Sequence, residues 1–395
     1  MMNRRTARVR NALWGMFAGD ALAMPAHWYY DLGNLRAQFD GGLRGYVAAP
    51  HPHPEAFMVG MSYRPDVRTA RRLGRPFDIL HEHARFYATT FSDLAIERGE
   101  REVAHGNVVA RLEDRYHYHH GLAAGENTLG AHLARVLLRT GPDAFLEGFV
   151  EHLTTPGRNR DPYTEIYIRR WFENYSCGVP AHACAELQRN VWSIGSHGGL
   201  VRPLIVSLLA SNTYQALGTA IEHMNLTHRS ENNVAALGVL VPLLRDLVDG
   251  RDTAEALDDH ARRVRPPKVT GEELFARYRA AKGPGNIPPD EMWSLHTELK
   301  DEPLDLAALA EQPEEEVVLK QLATACYPEH GLPLLLYFAR RYVGDPEAAL
   351  LANANAGGDN VHRNMVLGLL VGAPSALRDG LADRDALERE IAAFG

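Results

Sequence analysis

The chain has 395 residues, 45% of them hydrophobic, which is enough to bury a large core. A net charge of -8 and an isoelectric point near 6.2 argue against a general hold on nucleic-acid phosphates or anionic membranes, and leave polar or cationic small molecules as partners. The three cysteines, Cys177, Cys184 and Cys326, are odd in number and form no CxxC pair, which argues against a disulfide framework or a cysteine-held zinc and fits a cytoplasmic protein.

At the N-terminus Arg4, Arg5, Arg8 and Arg10 precede the apolar run 12–26, superficially like an export signal. Asp20 interrupts that run, and no apolar stretch nears the roughly 20 residues of a membrane span. Gly15 and Gly19 lie one helical turn apart, a spacing that lets another backbone approach one face, with Asp20 read as a capping carboxylate beside them. Residues 49–76 hold few apolar side chains among Arg64, Arg68, Arg71, Arg72 and Arg75, and are read as an irregular insertion suited to a lid. His117, His119 and His120, interleaved with Tyr116 and Tyr118, suit metal binding, proton transfer or stacking, and equally a solvated aromatic loop.

Glu126, Asn127 and Thr128 follow Gly125 and open a helix predicted over 128–139, where they either cap its amides or present oxygen ligands to a cation. Asp161 and Tyr163, with Arg158 and Arg160, either grip an anion or line a solvated face. His197 and Arg202 stand at a glycine-rich helix start that suits recognition of an anionic group. Three- and four-residue apolar periodicity predicts further helices over 207–224, 233–248, 332–343 and 361–371. Residues 265–303, rich in proline and glycine, read as a second irregular connection. Alternating strand patterns are scarce and the punctuating turns are short, so one all-α domain over 1–395 is expected. Near the end, Gly357 and Gly358 allow a tight turn before Asp359, Asn360 and His362, at the start of an apolar helix.

The order of these pieces resembles the ADP-ribosylglycohydrolase family. GMFAGDALAMP is similar to its first-helix GxxxGDAxG motif, GENT falls at its Thr-Asp-Asp-Thr run, and GGDNVH falls at its Gly-Gly-Asp-Thr-Asp-Thr run. SHGGLVRPLIVSLL and NLTHRS resemble its glycine-rich Met-Arg helix start and its Thr-His turn. The resemblance implies a single all-α domain with two magnesium ions in a central cleft, cleaving an N- or O-glycosidic bond at the ribose anomeric carbon.

This chain departs from that pattern at the metal ligands. Gly125, Glu126 and Asn127 stand where the family has Thr, Asp and Asp; Val361 replaces the second Asp of the last motif and His362 the following Thr, while Thr128 and Asp359 are kept. The altered set is similar to the branch of J-crystallins and related selenoproteins. With two carboxylates left, one magnesium ion held by Glu126, Asp359, Asn127 or Thr128 is the expectation rather than a pair, the alternatives being a different metal recruited by His362 or no metal at all. The expected activity is hydrolysis of a ribosyl or ADP-ribosyl small molecule, with Glu126 and Asp359 catalytic. Asn127, His117, His197, Arg202, Gly357, Gly358, Asn360 and His362 are expected to bind the substrate. The alternative is a ligand-binding or structural protein of crystallin type.

Overall fold

The computed structural model describes residues 3–55, 63–81, 102–104, 107–109, 115–187, 194–281 and 298–394. Two helices far apart in sequence, Arg4–Ala23 and Asn360–Val371, form its central pair. Asn3 caps the first by accepting the Arg5 amide, and every residue from Ala12 to Ala23 is buried. A helix apolar on all sides belongs inside, and this one is covered by others around it.

The glycines set how close the pair comes. A Cβ on Gly15 would lie 2.0 Å from the Gly368 carbonyl oxygen, and one on Gly19 would lie 2.4 Å from that of Asn364. The four-residue spacing thus serves backbone contact with the C-terminal helix. Asn364 ties the contact together, donating to the Gly19 carbonyl at 2.9 Å and to that of Leu350 at 3.2 Å.

Around this pair pack Leu129–Thr140, Ile166–Ser176, Gly198–Ser207, Thr213–Asn225, Glu231–Asp249, Pro328–Arg341 and Pro346–Asn355. One apolar cluster runs from Val9 to Ile391, and each fully buried Leu or Phe within it contributes roughly 1.5–3 kcal/mol. The architecture is all-α; among the described residues the strand structure is one short antiparallel pair, Glu102–Ala104 with Asn107–Val109, and two isolated bridges.

The helix predicted over 207–224 starts later, at Thr213. Gly198–Ser207 is a separate element, and Asn212 caps the next one by accepting the Gln215 amide. Both stretches read as irregular carry helix in their described parts. Val67–Leu73 is capped by Asp66 and closed by left-handed Gly74, and Gly271–Ala281 opens on a reciprocal capping box between Thr270 and Glu273. Residues 56–62 and 282–297 lie outside the described residues. No helix among the described residues is long and apolar enough to cross a membrane.

Candidate functional site

Pro25 starts a single 3-10 turn, Met24–Ala26, that ends the first helix and turns the chain back toward the C-terminal motif. There the two segments exchange backbone hydrogen bonds: the Trp28 amide donates to the Gly358 carbonyl at 2.8 Å, and the Gly358 amide donates to that of Tyr29 at 2.7 Å. Gly357 and Gly358 have φ of 64° and 67°, and a Cβ on either would lie 2.1 Å from the Tyr29 oxygen or 2.2 Å from that of Thr324. Asn360 braces the same turn by donating to the Ala26 carbonyl at 3.2 Å. The result sets His27 beside Asp359, with His27 Nε2 3.1 Å from Asp359 Oδ1.

His119 reaches His27 from a second direction. His117 Nε2 lies 3.1 Å from the Pro25 carbonyl, and its Nδ1 accepts the His119 amide, which fixes the turn that lays the His119 ring parallel to that of His27. The facing nitrogens, His119 Nε2 and His27 Nδ1, are 2.7 Å apart. His119 Nδ1 lies 2.9 Å from Asp161, a carboxylate that also accepts the first amide of the Leu129–Thr140 helix at 2.7 Å. On the other side His362 Nδ1 is 3.0 Å from Asp359 Oδ1, and its Nε2 is 3.3 Å from Glu165. Asp161, His119, His27, Asp359, His362 and Glu165 therefore form one continuous chain of carboxylates and imidazoles beneath the surface.

Burial drives the His27 pKa down to about 3, because a charged imidazole loses its hydration there. Burial alone would raise the Asp359 carboxyl, but His362 and His27 outweigh it and hold the group well below the usual carboxylate range. His362 is the converse: burial works against its charge, and Glu165 and Asp359 together hold its pKa well above the ordinary value. Asp359 is thus an ionised carboxylate at 1% exposure. Trp28, stacked on His27 at 4.0 Å, holds a left-handed φ of 61°, a conformation that persists in a bulky residue only where the surroundings impose it.

Other expected site residues lie elsewhere. Asn127 donates to Asp20 at 2.9 Å, and Thr128 donates to it through its amide at 2.8 Å and its hydroxyl at 2.6 Å. Asp20 holds Thr128, the residue at the N-cap of Leu129–Thr140, and among the described residues accepts no amide of that helix itself. Burial raises its carboxyl, and the Thr128 and Asn127 bonds counter only part of that rise. Glu126 accepts the Ala123 amide at 2.8 Å and pairs with Arg160 at 2.6 Å. No hydrogen bond or ion pair among the described residues joins it to Asp359. It lines a cleft of about 250 Å³ with Asn127, His132, Arg158, Arg160 and Asp383.

His197 Nδ1 lies 2.7 Å from the Cys326 carbonyl, while Arg202 donates to Thr227 and lies over the Phe145 ring. His27, Asp161 and Glu165 escaped sequence reasoning as partners of Asp359. The available signal was the Ala-His-Trp run directly after the first motif, at the end of its helix.

A match to the ADP-ribosylglycohydrolase family covers residues 1–392. The chain belongs to that family. A solved ADP-ribosylglycohydrolase-related protein complex has a similar fold, with a TM-score of 0.50 and 17% identity over 99% of this chain and 98% of that one. No curated protein sequence matches.

Membership in the ADP-ribosylglycohydrolases supports a glycosyl-hydrolase type of function and raises the question of their metal. The residues here do not fit a two-magnesium centre. Magnesium demands oxygen ligands in near-octahedral array, yet Asp359 faces two imidazoles, and Val361, fully buried two positions on, offers no oxygen. The described residues do bring three metal-capable side chains together, His27, Asp359 and His362, with ligand atoms within 4.8 Å of one another.

Proposed function

We propose that the protein hydrolyses the glycosidic bond of a ribosyl compound, ADP-ribosyl or nucleoside-like, with Asp359 as the catalytic carboxylate. The observation that carries this reading is an ionised carboxylate, buried and held by two imidazoles, at the start of the family's C-terminal motif helix. Breaking the bond at the anomeric carbon places positive charge on the ribose, and a fixed carboxylate in a dry site stabilises that charge far better than it would in water. His27 and His362 act as positioning residues that aim Asp359, and are themselves aimed by His119 with Asp161 and by Glu165.

Glu126 takes a different part. It pairs with Arg160, and no hydrogen bond joins it to Asp359 among the described residues, so we assign it to the cleft, where Arg158 and Arg160 supply cations for phosphate groups of the substrate. The test is release of free ribose or ADP-ribose from a panel of N- and O-ribosyl substrates, comparing the wild-type chain with Asp359→Asn. Removing a charge that acts at the transition state should lower kcat by about 100-fold or more with little change in KM. A variant as active as the parent would remove Asp359 from the chemistry. Absence of turnover across the whole panel by the folded parent would refute the hydrolase reading and favour the ligand-binding one.

A further inference from the structure

We propose that His27, Asp359 and His362 form a site for one divalent transition ion of the zinc class, in place of a magnesium pair. The proposal shares Asp359 with the hydrolase reading but does not depend on turnover. Three features of the geometry support it.

The donor set comes first. Two imidazoles and one carboxylate suit zinc, cobalt or nickel, whereas magnesium and calcium select oxygen. Second, the donors already converge. Two ligands each about 2.0–2.1 Å from one ion stand roughly 2.9–3.4 Å apart for octahedral to tetrahedral angles, and Asp359 Oδ1 lies 3.1 Å from His27 Nε2 and 3.0 Å from His362 Nδ1. The two rings stand nearly perpendicular, at 84°, so their inner nitrogens approach the carboxylate from different sides.

Third, the outer nitrogens are anchored as metal-binding histidines require. A ligating imidazole is held by a partner on its other nitrogen, which fixes tautomer and orientation. Here Glu165 holds His362 at Nε2, and His119, itself anchored on Asp161, holds His27 at Nδ1. An ion on the inner nitrogens leaves each outer nitrogen facing its own partner: His362 Nε2 on Glu165, His27 Nδ1 on His119, and His119 Nδ1 on Asp161. Three protein ligands leave coordination positions for a small exogenous ligand, the arrangement of an open rather than a structural site.

The test uses the full chain, stripped with a chelator and titrated separately with Zn²⁺, Co²⁺ and Mg²⁺. One Zn²⁺ or Co²⁺ should bind per chain, with Mg²⁺ weaker by at least about 100-fold. X-ray absorption of the zinc form should show two imidazole ligands. His27→Gln and His362→Gln should each abolish tight binding. If either variant fails to fold by circular dichroism, Glu165→Gln removes only an anchoring charge and should weaken zinc by about 10–100-fold. An all-oxygen shell, tight binding of two Mg²⁺, or zinc affinity unchanged in all three variants would overturn the proposal. Zinc binding as expected in a chain that cleaves no substrate would overturn the hydrolase reading alone.

Discussion

Lowering the pH from 7.5 to 5.5 should strip the protein of much of its stability. Six histidines outside the Asp359 chain, His53, His117, His152, His197, His223 and His228, are buried, and burial is in each case the main cause of a lowered pKa. The values reach about 4 for His53 and His197 and about 3 for His152 and His223. The unfolded chain takes up protons near 6.5 that the folded chain refuses, so the unfolded state binds more protons and stability falls as pH falls below 6.5. Between pH 7.5 and 5.5 each neutral-locked histidine costs about 1.3 kcal/mol by this linkage. His27 and His132, lowered to about 3 and about 4, add two more such costs. Against them stand His362, whose raised pKa adds stability below 6.5 that is lost as pH rises through the folded value, and Glu329, whose carboxyl burial raises to about 7 so that the folded chain takes up a proton in this range; together they offset about 3 kcal/mol. The net loss is on the order of 7 kcal/mol, comparable with the whole stability of many domains. Urea midpoints measured at half-unit steps across this range should fall steeply. His223→Leu, which removes an imidazole whose Nε2 has no partner, should flatten the profile by about one sixth of its span. Equal midpoints at pH 7.5 and 5.5 would refute the reasoning.

Gly19→Val sets a side chain against the Asn364 carbonyl, a backbone atom that has no room to give, and should cost about 3 kcal/mol or more in denaturant unfolding. By contrast Gly238, mid-helix and facing open space, should gain about 0.5–1 kcal/mol on substitution by alanine in the same assay. Glu126→Gln should mainly raise KM for a phosphate-bearing substrate and leave kcat within a few-fold. A kcat collapse at unchanged KM would return Glu126 to the catalytic role that its sequence position first suggested.

Local rules carried much of the fold into view. Apolar periodicity marked the helices at Leu129–Thr140, Glu231–Asp249, Pro328–Arg341 and Asn360–Val371 to within a few residues, because each presents a stripe or a whole surface to one core. The ordered motifs marked the family, and the Gly15–Gly19 spacing announced a close backbone contact. Where local rules failed, the partner came from elsewhere in the chain. Thr128 and Asn127 read either as helix caps or as cation ligands, and the fold sets both against Asp20, more than 100 residues earlier, which accepts their hydrogen bonds.

The sequence by itself determined the all-helical class, the kinship, and the presence of Asp359 at a buried helix start. Tertiary structure decided what Asp359 faces. His27, His119, Asp161 and Glu165 are separated from it by 332, 240, 198 and 194 positions, and no periodicity links them. They meet because Gly357 and Gly358 let the Tyr29 and Thr324 backbones come within reach, and because His117 holds the turn that delivers His119. Hydrogen-bond chemistry acts over about 3 Å, and only the folded chain brings these groups within that distance.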